Sequence, residues 1–443
     1  MGKVAVRAKA SNAFKLSTAV ILIVFFAGFI NIIPSPGPAL ATLMIDGLLV
    51  VMFIAFLVRA AVEGGRIRVD FWMAAWLLLV AVYLVLLIQK GAPLAEQLTT
   101  VRSHALYAFI AIYIATAVRD RVELDRLLTI IMRLGVAFSI FGIAQYVLRA
   151  QLPAWLLASA DTRVFSYFGT DITRSNGLMG NTIVYSAVLL LFLSLWAFKF
   201  AQQPTFRTAL AAAIVVVALL TTFSRIAIVG AVLIGVLAIL KMLGRRGMKH
   251  LVPGLVATAV LGTIVFLALL SNPSTSQSIS DSFIVKDLFG GQNASVQGST
   301  AGHDAFTDFA LQSFGSNPWT GVGIGSQSVQ GATAVQITDG ANLAVAVEGG
   351  LALFIPWMLL IAAAVVATLS ARRFTAEEYR FLAVGLFVFI VYQFGAASLV
   401  NSAIIGKTPF LLFWATFGIL MALVRAGREE ASQAAAEQAL QRV

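Results

Sequence analysis

The chain of 443 residues contains no cysteine and only three histidines. Without cysteine there is no disulfide framework, no thiolate nucleophile and no cysteine-ligated metal centre. A long loop in an oxidising compartment would have to hold its shape by packing alone. Charge is also scarce. Only 12% of residues are Asp, Glu, Lys or Arg, against about a quarter in soluble domains. With 60% hydrophobic residues, this excludes an ordinary soluble globule and predicts an all-α polytopic membrane protein. The net charge is +11. In a membrane protein cations collect in cytoplasmic loops facing anionic lipid, so the surplus points to the bilayer as partner and not to nucleic acid.

A membrane crossing needs about 20 apolar residues. Twelve runs qualify: 16–33, 39–62, 71–89, 101–118, 127–149, 181–201, 207–222, 226–243, 251–270, 350–370, 380–400 and 409–425. The first follows Lys3, Arg7, Lys9 and Lys15 as a signal peptide would, but it is longer than a usual signal core and a second run follows at once, so an uncleaved span is expected. The stretch 208–240 is too long for one crossing and should break at Thr222–Arg225. With the N-terminus in the cytoplasm, the outer side receives Lys90, Arg102, Arg149, Arg163, Arg174, Arg225, Lys286 and Lys407, eight of the 31 Lys and Arg, leaving 23 inside. That asymmetry sets the orientation, and twelve spans put both termini inside.

The predicted organisation is therefore spans one to nine over 1–270, with an outer loop at 150–180. A large outer loop follows at 271–340, then spans ten to twelve over 341–425 and a cytoplasmic helical tail at 426–443. Long loops in a compact architecture are usually lids or binding elements. No internal repeat is visible, which weakens an inverted-repeat transporter. Asp46, Arg102, His104 and Arg133 lie near span ends and the span centres are almost bare of ionisable groups, which also argues against alternating access by a transporter or flippase.

Several unusual residues fall on the outer side. Arg225 interrupts "LLTTFSRIAIVGAVLIGVLAIL" at the expected turn. It reads either as an arginine snorkelling to headgroups or as a fixed cation for a phosphate, which the guanidinium fork matches bidentately. Arg174, in "DITRSNGLMGN" with Gly177 and Asn181, reads either as a loop cation paired to Asp171 or as the second arm of a diphosphate clamp. In "SNPWTGVGIG", Pro318, Gly321, Gly323 and Gly325 fit neither the dinucleotide nor the Walker spacing, and predict a sharp backbone turn returning the chain to the membrane. His303, Asp304 and Asp308 are a weak metal set. Asp339 and Glu348 flank the last stretch before span ten, and either would accept a proton from a hydroxyl or stand as a solvated loop acid.

Taken in order, these segments resemble the bacterial O-antigen ligase and polymerase superfamily. The likeness rests on an R-x-x-G-x-x-x-N pattern (Arg174, Gly177, Asn181), a Ser-Arg turn (Ser224, Arg225), a loop with Gly302, His303, Asn317, Pro318, Gly321, Gly323 and Gly325, and a stretch from Asp339 through Asn342 to Glu348 and Gly350. It covers roughly 165–350. The resemblance implies a GT-C-like membrane glycosyltransferase without cofactor or metal, acting on the periplasmic side of the inner membrane. Its donor would be an undecaprenyl-diphosphate-linked glycan, transferred with inversion to a glycan or lipid-linked acceptor. It leaves room for a chain-length regulator as a protein partner. By this likeness Arg174 and Arg225 bind the diphosphate, and Asp339, then His303, are the first choices for the base. Gly177, Asn181, Ser224, Gly302, Asn317, Pro318, Gly321, Gly323 and Asn342 support the site. His303 stands where the ligases carry a loop arginine, and Asp339 where they carry a histidine. The departures favour a polysaccharide polymerase over a lipid A–core ligase. An export-complex scaffold remains the alternative from another class.

Overall fold

The computed structural model describes residues 11–32, 37–62, 69–88, 92–148, 151–153, 165–167, 170–172, 174–177, 179, 181–224, 226–244, 308–327, 340–399 and 403–441. The described chain is helical apart from a two-stranded antiparallel hairpin, β1 Phe165–Tyr167 and β2 Thr170–Ile172, in register Ser166 to Asp171. In chain order the helices are α1 Asn12–Ile32, α2 Gly37–Val62, α3 Phe71–Leu86, α4 Leu94–His104, α5 Phe109–Ala117, α6 Arg121–Val147, α7 Thr182–Gln202, α8 Phe206–Leu220, α9 Ile226–Gly244, α10 at 308–316, α11 Ala341–Phe374, α12 Arg380–Ile390 and α13 Lys407–Leu440.

Among the described residues, eight helical stretches are long and apolar enough to cross a membrane, and Asn12–Ala27, Phe71–Leu86 and Phe206–Leu220 are shorter apolar helices. They coincide with the expected runs except 251–270, which lies outside the described residues, as does most of the expected large loop at 271–340. The bundle is organised around α13. Its residues 409–424 are buried on every side, the pattern of a central helix and not of an amphipathic one. Close approach is made possible by small residues: a Cβ at Gly418 would lie 2.7 Å from the Ala111 Cα of α5. The helix then runs on through an exposed polar segment. At 34 residues it is about 51 Å long, well beyond the roughly 30 Å of a hydrocarbon core. The expected tail is therefore continuous with the last span.

One end of the bundle is basic. Arg59 Nη1 donates to the Ala117 carbonyl at 2.8 Å, Arg425 donates to the carbonyls of Ala115 and Val118, and Arg121 pairs with Glu378 and Glu430, each at 3.3 Å. The first two satisfy carbonyls that the end of α5 leaves without helical partners. At the opposite end three expected spans are interrupted. The fourth starts at Leu94, not near 101, and breaks into a 3-10 turn at Leu106–Ala108. The tenth starts at Ala341 and reverses at Gly350. The eleventh leaves α-geometry for a π turn at Val391–Ala396, followed by 3-10 turns at Ala397–Leu399 and Ala403–Ile405. Irregular backbone inside a membrane persists only where protein or a wet cavity surrounds it.

Candidate functional site

The segment holding Arg174 is fixed from below by one side chain. Gln145, in the last turn of α6 and 3% exposed, accepts from the backbone N–H of Asn176 and of Gly177 through Oε1, each at 3.0 Å. Its Nε2 donates to Asn176 Oδ1 at 2.9 Å, and Ser175 Oγ donates to the Gly142 carbonyl at 2.9 Å. Gly177 takes φ of 52°, and a Cβ there would lie 2.2 Å from the Tyr185 ring, so only glycine fits. Asn181 caps α7, accepting from the backbone N–H of Ile183 and Val184. Gly177 and Asn181 of the motif thus have structural reasons, and Arg174 leads into this locked turn.

The Ser175 backbone N–H donates to the Thr221 carbonyl at 3.1 Å. Thr221 opens the turn between α8 and α9, at the place the long apolar run was expected to break. Phe223 there has φ of 49°, a region bulky residues avoid, and its ring lies against Tyr146. Ser224 is 9% exposed, and Ser186 Oγ donates to its hydroxyl at 3.4 Å. Arg225 lies outside the described residues. Ile226 follows, and its carbonyl accepts from the Tyr392 hydroxyl of the π turn.

A second assembly joins the glycine-rich loop to the reversal in α11. Asn342 and Trp357 are fifteen residues apart, yet Trp357 Nε1 donates to Asn342 Oδ1 at 2.9 Å. On a straight helix they would be about 22 Å apart. The chain therefore turns back at Gly349–Gly350, making 341–349 a half-helix lying against the longer segment 351–374. Gly350 has φ 57° and ψ −157°, a conformation essentially confined to glycine.

A reversal leaves backbone groups without helical partners, and the loop supplies them. Val322 N–H donates to the Val347 carbonyl at 2.8 Å and Gly323 N–H to the Glu348 carbonyl at 3.0 Å. The Pro318 and Trp319 carbonyls accept from Leu351 and Ala352 at 2.8 and 3.0 Å. The approach is so close that a Cβ on Gly321 would lie 2.4 Å from the Val347 carbonyl oxygen, and one on Gly350 2.4 Å from the Trp319 carbonyl carbon. The expected sharp turn is present, with Asn317 as carbonyl acceptor for Gly321 N–H at 2.9 Å. What the sequence did not announce is that this turn plugs the reversal.

Glu348 is the side chain at the centre of that joint. It is 1% exposed, and its Oε1 accepts from the Gln327 backbone N–H at 3.2 Å. Its Oε2 stands 3.9 Å from His104 Nδ1, which is 2.7 Å from the Tyr83 hydroxyl. It is therefore not the solvated loop acid of the bland reading. Asn342, expected in a supporting loop, lies instead in the first turn of the half-helix. Its Nδ2 donates to the Phe394 carbonyl at 2.9 Å and to Ser398 Oγ at 2.6 Å. Tyr392 and Phe394 share one π turn, so the Arg174 segment, the 221–226 turn, the half-helix and the glycine loop form one connected assembly at the end remote from Arg59 and Arg425.

Gly302, His303 and Asp339 lie outside the described residues, as does Asp304. Among the described residues, no three His, Asp or Glu gather as a metal set. Sequence reasoning missed Gln145, Tyr83, His104 as a partner of Glu348, Trp357, Tyr392 and Ser398. Polar side chains inside apolar runs are the signal that could have drawn attention to Gln145 and His104. No protein-family model matches the chain, and no curated protein sequence matches it.

Proposed function

We propose that this protein is a glycosyltransferase of the inner membrane that lengthens a glycan carried on undecaprenyl diphosphate. In this reading the basic end faces the cytoplasm, both termini lie there, and the interrupted end faces the periplasm. The observation that supports it most is the hydrogen bond from Ser175 N–H to the Thr221 carbonyl. It joins the segment carrying Arg174 to the turn that leads into Arg225, and two separate helix ends then contribute to one clamp.

Displacing a lipid diphosphate builds negative charge on the leaving group, and fixed cations aimed at it lower the barrier. Arg174 and Arg225 fill that role without titrating. The acceptor sugar hydroxyl attacks the anomeric carbon from the opposite face and gives its proton to Asp339, with His303 the second choice. The buried Glu348 holds the joint between loop and half-helix. The isoprenoid tail lies among the helices while the diphosphate reaches their outer ends.

The test is reconstitution of the purified protein with lipid-diphosphate-linked repeat units alone. A ladder of products, lost in Arg174→Ala and Arg225→Ala, is the expected result. Reaction only after adding a second acceptor makes the protein a ligase. Normal ladders from either variant overturn the clamp. No transfer under any condition leaves the transport or scaffold classes.

A further inference from the structure

A second group of charges sits where α2 meets α4 and the start of α13. Arg102 of α4 donates from Nη1 to Asp46 Oδ2 of α2 at 2.7 Å, with the two side chains 25% and 28% exposed. Lys407, the first residue of α13, donates to Thr42 Oγ1 at 2.6 Å. Thr42 and Asp46 are four apart on α2 and so share a face, about 5–6 Å between their Cβ atoms. The Tyr107 hydroxyl lies 3.5 Å from Asp46 Oδ1. Two cations thus meet neighbouring turns of α2, with one carboxylate, Asp46, paired to Arg102, and among the described residues the Arg102 Nε is buried without a hydrogen-bond partner.

The helices give the depth of this group. Thr42 is seventeen residues before Arg59, about 25 Å along α2, and Lys407 is eighteen before Arg425, about 27 Å along α13. Arg59 and Arg425 mark one end of the bundle, so the cluster sits close to the other surface of a hydrocarbon core roughly 30 Å thick. A surplus cation at that level, with helix on one side and lipid on the other, is costly unless an anion meets it. Lipid phosphates lie at that level. The surface beside the cluster suits a lipid chain. Among the described residues, only 17% of the apolar window of α2 is buried, Leu43, Val50 and Ile54 are exposed, and a Cβ on Gly47 would meet nothing within 4 Å.

We propose that Arg102 and Lys407 bind the phosphate of a membrane lipid whose hydrocarbon tail runs along the exposed face of α2. The guanidinium supplies directional donors and the ammonium a point charge, while Asp46 holds Arg102 in place. This site requires only that the bundle span a membrane, and it stands apart from the catalytic reading above.

The test is native mass spectrometry of the full-length protein in maltoside micelles, titrated separately with phosphatidylglycerol, a polyprenyl diphosphate and diacylglycerol. The expected result is a one-to-one adduct with a phosphate-bearing lipid and none with diacylglycerol. Which of the two phosphate lipids binds tighter identifies the natural source. Lys407→Gln should weaken the adduct at least ten-fold, while Lys407→Arg retains it. An equal adduct with diacylglycerol, or undiminished binding in Lys407→Gln, overturns the site. Lys407→Arg controls for folding: loss of the adduct there as well assigns Lys407 a purely structural role and also overturns it.

Discussion

Trp357 holds Asn342 at 2.9 Å across the reversal of α11, and Asn342 in turn holds Phe394 and Ser398. One asparagine therefore ties the half-helix to the long segment of its own helix and to the π turn. Replacing Asn342 by Leu strands the Trp357 indole N–H in a buried place, at a cost of about 1–3 kcal/mol. We expect a lower apparent melting temperature in detergent. Trp357→Phe should do the same to a smaller degree, because the ring is kept and only the donor is lost.

The glycines of the joint make a sharper prediction. Gly350→Ala places a side chain where φ is 57°, worth roughly 1–3 kcal/mol of strain, and drives its Cβ into Trp319. Gly321→Ala meets the Val347 carbonyl in the same way. Both should lower folded yield and thermal stability clearly. Gly47→Ala, with open space around it, should leave both unchanged. A normal melt for Gly350→Ala would show that the plugged reversal is wrong.

Gln145 supplies one acceptor oxygen to two backbone N–H groups. Gln145→Leu should loosen the Arg174 segment and reduce the proposed glycan transfer by an order of magnitude or more, while far-ultraviolet dichroism stays that of a helical protein. Gln145→Glu keeps the acceptor but loses the Nε2 donor to Asn176, and should fall between the two. Equal transfer by Gln145→Leu and wild type would remove the Arg174 segment from the active assembly.

Glu348 separates holding from proton transfer. Glu348→Gln preserves the acceptor for the Gln327 N–H, and we expect it to retain at least about a tenth of transfer activity and a near-normal melt. Glu348→Ala removes that acceptor and should destabilise by about 1–3 kcal/mol. A loss of 10²-fold or more in Glu348→Gln with an unchanged melt would instead mark this carboxylate as the base, since general bases contribute on that scale.

Where helices form was legible because apolar runs of span length have few other solutions. The break at 221–224 was legible too, since 208–240 exceeds one crossing. The interruptions were not. Nothing in "VYQFGAASL" punctuates a helix as proline would, and its π turn is set by contacts with Ile226 and Asn342 from elsewhere in the chain. The 341–349 segment carries a helical sequence, and its reversal was not legible because its partner is another part of the same helix. The glycine pattern of 317–325 was legible as a turn, while its role as a plug depends on the distant Gly349–Gly350. Gln145 was passed over, and His104 was noted only as lying near a span end, because a single polar residue barely alters the apolarity of a long run.

The four backbone bonds that seal the reversal also bear on how the chain is made. Residues 318–323 leave the ribosome before 347–352, so the loop half of the joint exists before the segment it must seal. The half-helix is too short to be threaded across the bilayer as an independent crossing. It would settle only once residues 318–323 are in place to dock onto it. Biogenesis of this region is then a matter of timing between membrane insertion and docking, and slowing that docking should leave a protease-sensitive intermediate with the Gly349–Gly350 bend unsealed.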